Sequence, residues 1–252
     1  MTRNENKNNS FSKIADKNVG KLDMVIAFDT TGSMAEYIGA VREEVSELIP
    51  KLFKNNEDLR LGIVAFGDYC DMTDAFHFGD AYQCLEPTND VQRLVGFVKE
   101  SRNTGGGDSD EFYELVLRKI IDETPWRDGS TRSILLIADA APHPLGYSFD
   151  NYVSNNDIDW RMEAAKAENK GIKVDTISIT DEPWYVELSK ITGGVHLPFS
   201  TGRKTARLVE TVASARGSEK SRIFFDACES SCNDEEMKGV YSALRSERES
   251  YD

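Results

Sequence analysis

The amino-acid sequence predicts an α/β fold: a doubly wound, mostly parallel central sheet of about six strands, with one short antiparallel edge strand and helices on both faces. From residue 22 onward, strand-like apolar segments alternate with segments whose apolar residues recur at helical spacing. Several strand-like segments are almost continuously apolar, as expected for strands buried on both faces of a parallel sheet. Acidic, hydroxyl-bearing and glycine-rich turns lie between these elements, where open α/β sheets place their binding sites.

The first half of the predicted domain begins with a strand over residues 22–29, LDMVIAFD. A helix over residues 37–53 follows, because its apolar residues recur at spacings of three and four. Pro50 is expected to kink or end that helix. A second apolar strand covers residues 59–66, and a short edge strand is predicted around residues 75–78.

The second half continues the alternation around a glycine-rich turn, TGGGD. The most uniformly apolar segment, SILLIA at residues 133–138, is predicted to be a central strand that runs into Asp139. Gly171 is expected to end a helix, because glycine readily adopts the left-handed conformation of a C-terminal cap. The other predicted elements are helices over 87–101, 110–122, 158–170 and 201–215, a helix through Trp184, Leu188 and Ile191, and strands over 172–179 and 195–199.

Three regions are expected along the chain. Residues 1–21 are rich in Asn and Lys and have little apolar periodicity, so they are predicted to form a disordered N-terminal arm. Residues 22–215 hold the alternating elements and are predicted to form one domain. Residues 216–252 form a C-terminal extension of undefined structure, with a strand-like segment at 222–226 and a helix-like segment at 235–249.

The composition argues against several functions and locations. The 252 residues include 30 Lys and Arg against 44 Asp and Glu, and the resulting net charge of −14 repels nucleic acid. No apolar stretch approaches the ~20 residues of a membrane-spanning helix, and no N-terminal apolar run indicates a secretory signal. The four cysteines have neither a disulfide framework nor zinc-binding spacing. We therefore expect a cytoplasmic protein that binds neither nucleic acid nor membranes.

Oxygen-bearing side chains gather in the turns at the predicted strand ends. In the first turn, alternate residues can point the same way and place one carboxylate and two hydroxyls around one point. Oxygen ligands without nearby Cys or paired His favour a hard divalent cation, Mg²⁺ or alternatively Mn²⁺ or Ca²⁺, over zinc. The candidate residues are Asp29, Thr31 and Ser33 in the first turn, Asp108, Asp110 and Glu111 after the glycines, and Asp139 at the end of the central strand.

Plainer interpretations of the polar residues stay open. In one of them, Ser33 or Asp29 is only the N-cap of the following helix. Asp68 and Asp71, in the turn GDYCD, are interpreted as parts of a solvated loop rather than as catalytic residues. His143 is interpreted as a surface or packing residue, with a contact at the rim of the site as the alternative.

Short motifs of the chain, in order along the predicted strands, are similar to those of von Willebrand factor A domains. DTTGSM at 29–34 resembles the D-x-S/T-x-S signature of the metal-ion-dependent adhesion site. GGDSDE at 106–111 is similar to the D-x-P-E loop in the A domains of integrin β chains and of alpha-type protein kinases, with Asp110 in place of the proline. LLIADA at 135–140 resembles the strand and aspartate of the third site loop, and ITGG at 191–194 the helix end before the last strand.

The resemblance covers residues 22–215 and implies roles for the matching residues of the first loop. Thr31 and Ser33 would contact the metal directly. Asp29 would hold it partly through water. The resemblance thus implies a doubly wound fold that carries a Mg²⁺-type site at the end of its first strand.

The second and third loops would complete that site. Glu111 matches the acidic ligand of the second loop, and Asp108 matches a residue that serves a neighbouring cation in the integrin domains, so either could complete the coordination. The threonine ligand of the commoner A domains has no counterpart, since Thr104 lies four residues too early. Asp139 would orient a metal-bound water.

The function that follows from this resemblance is metal-dependent protein binding, in which a partner presents an acidic residue to the cation. We expect no enzymatic activity. One alternative is a phosphatase or phosphotransferase of the haloacid dehalogenase type, but that chemistry uses a D-x-D pair, and Thr31 stands in place of the second carboxylate. The other is a regulatory scaffold with a vestigial metal site, in which the C-terminal extension does the binding.

Overall fold

Six strands form the central sheet of the structure, a computed structural model that describes residues 20–72, 80–150, 153–198 and 204–249. Two further strands of two residues each form a separate small sheet. The strands are β1 Lys21–Asp29, β2 Asp58–Phe66, β3 Tyr82–Thr88, β4 Asp110–Glu111, β5 Thr131–Ala138, β6 Ala141–Pro142, β7 Ile172–Ser178 and β8 His196–Pro198.

Helices connect these strands and continue beyond the last one. The helices are α1 Ile38–Asn55, α2 Val91–Glu100, α3 Tyr113–Glu123, α4 Trp160–Asn169, α5 Pro183–Thr192, α6 Lys204–Arg216, α7 Glu219–Ser230 and α8 Glu235–Glu249. Two short 3₁₀ turns, Ser33–Glu36 and Tyr69–Met72, follow β1 and β2.

The strand order is β3-β2-β1-β5-β7-β8, and each neighbouring pair is parallel except β2 with β3. The predicted fold class is therefore confirmed, including the single antiparallel edge strand. Because β1 lies between β2 and β5 and is parallel to both, the carboxyl ends of these three strands lie side by side at one end of the sheet. The candidate site lies at that end.

The central strand β1 is buried on both faces of the sheet. Met24, Ile26 and Phe28 pack in one apolar cluster, and the alternate residues Val25 and Ala27 pack in the other. This division follows from the two-residue repeat of a strand, which sends successive side chains to opposite faces. The near-continuous apolar sequence of β1 is thus explained by burial on both sides.

The helices predicted on either side of the glycine-rich turn begin a few residues later than predicted, and the edge strand lies at other residues. The antiparallel edge strand lies at Tyr82–Thr88, whereas the predicted segment at 75–78 falls outside the described residues. The helix predicted from residue 87 begins at Val91, because Asp90 caps it by accepting a hydrogen bond from the backbone of Arg93. The helix predicted from residue 110 begins at Tyr113, because residues 110 and 111 pair with β6 instead.

Pro50 does not end helix α1, which continues to Asn55. Proline removes one hydrogen bond of the helix and therefore favours a break. Leu48, Ile49 and Leu52 flank it, however, and all three are buried in the apolar cluster beneath the helix. Tertiary packing on both sides of the proline thus overrides the local preference.

The C-terminal extension is helical and packs on the same core as the sheet. The strand-like segment at 222–226 lies within α7, so that prediction is wrong, whereas the helix predicted at 235–249 is confirmed. Phe225 of α7 and Tyr241 of α8 belong to the apolar cluster that also contains residues of β1 and α1. The strand prediction is wrong because it rests on two adjacent aromatic residues of α7. In the helix, only Phe225 is buried, while Phe224 remains partly exposed.

Phe225→Ala is expected to lower the free energy of unfolding by about 3 kcal/mol or more, because it removes a large side chain that is 1% exposed and leaves a cavity. Phe224→Ala is the matched control; this neighbour is 36% exposed, and its loss should cost less than about 1 kcal/mol. Urea denaturation of both variants measures the difference. Equal effects would mean that α7 does not share the core of the domain.

Candidate metal centre

The first loop holds the buried carboxylate at the end of β1. Asp29 is fully buried, and its Oδ1 accepts hydrogen bonds from the backbone N and the Oγ1 of Thr31, both at 2.7 Å. The Oγ1 of Thr31 lies 3.1 Å from the Oγ of Ser33, which is exposed. One carboxylate and two hydroxyls therefore gather around one point.

Asp29 and Ser33 are not the N-cap residues of the following helices. The residue before the 3₁₀ turn is Gly32, and the residue before α1 is Tyr37; neither makes a side-chain capping hydrogen bond. Asp29 instead bonds to Thr31 within its own loop. Hydrogen bonds within the first loop, and not a capping role, therefore fix the position of Asp29.

Tyr113, the first residue of α3, holds the other oxygen of Asp29. Its hydroxyl donates to Asp29 Oδ2 at 2.5 Å and accepts from the backbone N of Ala140 at 3.2 Å. The tyrosine therefore ties the end of β1 to the loop after β5. Sequence reasoning missed this residue, because a single tyrosine at the start of an apolar helix is indistinguishable from a core residue.

The glycine-rich turn is joined to the first loop through the backbone. Gly32 N donates to Gly105 O at 3.0 Å, and Thr104 N donates to Thr30 O at 3.0 Å. The hydroxyls of Thr30 and Thr104 are also 3.0 Å apart. Thr104, which lies too early in sequence to match a family ligand, thus links the first two loops.

Asp71 anchors the same turn from the other side. Its carboxylate accepts hydrogen bonds from the backbone N of Gly105 at 2.7 Å, of Gly106 at 3.2 Å and of Asp68 at 2.9 Å. Asp68 and Asp71 are both buried, so their interpretation as solvated loop residues was wrong. Asp71 shapes the site because backbone amides that no helix or strand satisfies need such acceptors.

Glu111 enters the site beneath the glycine turn. It is buried, and its Oε2 has no hydrogen-bond partner. Gly106 has a φ of +70°, and a Cβ at this position would lie 2.9 Å from Glu111 Oε1 and 3.4 Å from the Cβ of Thr31. Glycine is required here because it adopts this backbone conformation and leaves room for the carboxylate.

Asp139 lies directly after β5, at the adjacent strand end. It is 9% exposed, and its Oδ1 has no hydrogen-bond partner. Five of the predicted residues therefore lie on neighbouring loops at the carboxyl ends of the strands and form what is called the first cluster: Asp29, Thr31, Ser33, Glu111 and Asp139. Asp108 is exposed and lies in a second cluster, and Asp110 is half-buried in β4.

The second cluster consists of Asp68, Asp108 and His143, each of which offers a ligand atom within 4.8 Å of the others. His143 Nε2 lies 2.7 Å from Asp68 Oδ1. The hydroxyl of Tyr147 donates to Asp108 Oδ2 at 3.0 Å. His143 is buried and stacks on Tyr147, so it is a packing residue rather than a surface one, and Asp108 and Glu111 face different clusters.

Burial makes the carboxyl groups of the first cluster difficult to ionise. Burial, together with the charge of Asp139, raises the pKa of Asp29 to about 7, although hydrogen bonds from Tyr113 and Thr31 act in the opposite direction. Burial and the nearby charges of Asp29, Asp68 and Asp71 raise the pKa of Glu111 to about 10. Burial also raises the pKa of Asp139, and a hydrogen bond from Ser33 partly offsets it.

The residues of the first cluster fit a hard divalent cation. Glu111 Oε2 and Asp139 Oδ1 are buried carboxylate oxygens without a donor, which is costly unless a cation or water satisfies them. Nearby positive charge would restore the ordinary pKa values of these acids. The hydroxyls of Thr31 and Ser33 add neutral oxygen ligands of the type that Mg²⁺, Mn²⁺ and Ca²⁺ accept.

Fold and site together define an α/β domain with an acidic, hydroxyl-lined site at the ends of its central strands. The family model of the von Willebrand factor type A domain matches residues 23–214, and the chain belongs to that family. The resemblance inferred from the short motifs is therefore confirmed. In the part of the chain that the structure describes, no helix is long and apolar enough to span a membrane.

Two curated proteins are similar in sequence over part of their length. A putative ariadne-like RING finger protein, R811, of Acanthamoeba polyphaga mimivirus is 24% identical over 189 residues, 70% of this chain and 18% of that protein. The alpha-protein kinase vwkA of Dictyostelium discoideum is 29% identical over 133 residues, 50% of this chain and 19% of that protein. The chain thus spans less than a fifth of the length of these relatives.

A solved structure shares the fold. The crystal structure of the conserved hypothetical protein BatB from Bacteroides thetaiotaomicron has a TM-score of 0.52 and 15% sequence identity, and the match covers 75% of this chain and 95% of that one. At this identity the likeness concerns the fold alone.

We expect the metal-free protein to lose stability as the pH rises. The pKa values of Glu111 and Asp29 are higher in the folded protein than in the unfolded chain. At any pH between the unfolded and the folded pKa of each acid, the folded state therefore binds more protons than the unfolded chain. Raising the pH from about 5 to about 9 should therefore lower the free energy of unfolding, by at most about 1.4 kcal/mol per pH unit for each proton. Urea denaturation in chelator at a series of pH values measures this dependence.

Glu111→Gln provides the control, because the amide has no proton to lose and the pH dependence should become shallower. His143 acts in the same direction: burial alone would lower its pKa, but the hydrogen bond and charge of Asp68 outweigh this and raise it. Since His143 is present in both proteins, the difference between the two curves reports on Glu111. Identical slopes would contradict the raised pKa of Glu111.

Proposed function

We propose that this chain is a metal-dependent protein-binding module that captures a carboxylate of its partner through a Mg²⁺-type cation. One observation carries the proposal. Two buried carboxylate oxygens without donors, on Glu111 and Asp139, lie on loops adjacent to the exposed residue Ser33. A site that combines unsatisfied carboxyl oxygens with a neutral ligand on an exposed residue is suited to a cation that is reached from solvent.

The residues proposed to hold this cation are those of the first cluster. Thr31 and Ser33 supply hydroxyl ligands, and Glu111 supplies a carboxylate ligand. Asp29 and Asp139 do not contact the cation directly but support these ligands. Asp29 has one oxygen bonded to Thr31 and the other to Tyr113, so it serves better as a support for the ligands than as a free ligand. Mg²⁺ is preferred to Mn²⁺ and Ca²⁺ because it commonly retains waters and takes few protein ligands.

The proposed partner is a protein with an accessible Asp, Glu or C-terminal carboxylate. The few protein ligands leave coordination positions for a carboxylate of the partner, which would form a charge-assisted contact at the centre of an interface. The net charge of −14 opposes the approach of an acidic protein at long range, so attraction arises only close to the cation. The affinity should therefore depend on one acidic residue of the partner.

We also propose that the module itself is not an enzyme. A phosphatase of the haloacid dehalogenase type needs a free oxygen on its first aspartate and an acid two residues later. Both oxygens of Asp29 accept hydrogen bonds, and Thr31 takes the second position. The phosphotransferase alternative thus lacks the geometry as well as the sequence pattern.

The proposed location is the cytoplasm. Cys70, Cys84, Cys228 and Cys232 are all free thiols, as expected of a protein kept in a reducing compartment.

Ser33→Ala should weaken Mg²⁺ binding by at least about 10-fold, because it removes a direct ligand from the exposed side of the site. Ser109→Ala is the matched control, since Ser109 is an exposed serine in the neighbouring turn and is outside the proposed coordination. Isothermal titration with Mg²⁺ compares the two, and circular dichroism checks that both remain folded. Unchanged Mg²⁺ affinity in Ser33→Ala would remove the first loop from the site.

The partner chemistry can be tested with a display library of random peptides that is selected on the Mg²⁺-loaded protein and eluted with chelator. We expect the recovered peptides to share one acidic residue or to bind through the terminal carboxylate. Replacing that acid with its amide should abolish binding, and using Ser33→Ala as bait should weaken it in proportion to the loss of bound Mg²⁺. Recovered peptides without a common carboxylate, or peptides that resist chelator, would favour the scaffold with a vestigial site.

A further inference from the structure

A cavity lies between the edge strand β3 and helix α3, and it shares no lining residue with the two clusters. Its volume is about 220 Å³. Its floor consists of Val25 and Val64, which are 2% and 1% exposed. An engineered apolar cavity of about 150 Å³ is large enough to bind benzene. The cavity beside β3 therefore has room for an organic molecule of at least that size.

A β-bulge in β3 shapes the mouth of this cavity. The register of β3 on β2 shifts after Leu85, so that Glu86 and Pro87 lie opposite the single residue Gly62. A Cβ on Gly62 would lie 3.2 Å from ring atoms of Pro87, and glycine thus lets the bulge approach β2 closely. Bulges redirect the side chains of a strand. Here both Glu86 and Pro87 line the cavity.

The charges around the cavity do not balance. Lys119 is the one positive charge among the described residues that line it. Its ammonium group donates to both carboxylate oxygens of Glu123, at 2.8 and 3.0 Å, and lies 4.8 Å from the ring centre of Tyr82. Glu86 is exposed and has no ion pair within the described part of the chain. The charge left at the cavity is therefore the negative charge of Glu86.

We propose that this cavity binds a small organic amine, whose apolar body contacts Val25 and Val64 and whose ammonium group pairs with Glu86. An apolar pocket with a few polar groups that fix orientation is the usual composition of a small-molecule site. An anionic ligand would have to displace Glu123 from Lys119, so it is the poorer match. The net charge of −14 also raises the local concentration of cations.

Cys84 is a natural reporter of occupancy. It lines the cavity and is the one exposed cysteine of the four, since Cys70 and Cys232 are buried and Cys228 is partly buried. A molecule in the cavity would cover the Cys84 thiol. Occupancy should therefore slow the chemical modification of Cys84 and leave that of Cys228 unchanged.

The test uses alkylation of the full-length protein by iodoacetamide at neutral pH, followed by mass spectrometry of each cysteine. The probes are phenethylamine and 2-phenylethanol, which has a hydroxyl in place of the ammonium group. Phenethylamine should protect Cys84 at a concentration about 3-fold or more below that of the alcohol, since an exposed charge pair contributes up to about 1 kcal/mol. Added glutathione checks that the amine does not consume the reagent. Equal protection by both probes, or none by either, would overturn the proposal.

Glu86→Gln should remove the preference for the amine, because the amide carries no charge. Glu100→Gln is the matched control, since Glu100 is an exposed glutamate of α2 that does not line the cavity. This control changes the net charge by the same amount and should keep the preference. A preference that is equal in both variants would overturn the assignment of the ammonium group to Glu86.

Isothermal titration with phenethylamine locates the site without alkylation. Cys84→Phe places a ring in the mouth of the cavity and should abolish binding, whereas Cys84→Ser keeps the cavity open and should bind as the wild type does. Circular dichroism checks that both variants are folded. Ser33→Ala should bind the amine normally, which separates this site from the first cluster. Binding that survives in folded Cys84→Phe would place the amine elsewhere and overturn the proposal.

Discussion

The site depends on one buried carboxylate, Asp29, and on the hydrogen bonds that hold both of its oxygens. Thr31 bonds to Oδ1 and Tyr113 to Oδ2, and Tyr113 in turn accepts a bond from the backbone of Ala140. Because Asp29 ends the central strand, these bonds connect the loops after β1 and β5 with the start of α3. The hydroxyls of the first loop are thus fixed relative to the sheet and do not move independently.

A buried group of acids is tolerated because the rest of the domain is strongly apolar. The sheet separates two large apolar clusters, and the central strands contribute to both. The acids lie at the edge of this core, where burial and mutual repulsion raise the pKa values of Asp29 and Glu111. The domain therefore combines a stable core with a destabilised edge, an arrangement typical of binding sites.

The sequence was sufficient to predict the sheet and most of the first cluster, because both depend on local patterns. Apolar runs identified the strands, and alternate oxygen-bearing residues after β1 identified the first loop. The roles of Asp71, Tyr113 and His143 could not be predicted, since each depends on contacts between loops far apart in sequence. The helix through Phe225 was missed for a related reason, because a short apolar run does not distinguish a strand from one face of a helix.

The two clusters share one backbone support, the glycine-rich turn. Asp71 binds the amides of Gly105 and Gly106, and Gly106 makes room for Glu111 in the first cluster. Asp108, only two residues beyond Gly106, belongs to the second cluster. A change that displaces this turn would move side chains of both clusters at once. Substitutions that distinguish the clusters must therefore alter the side chains of one cluster and leave the glycines and Asp71 intact, since only then does each result report on one cluster.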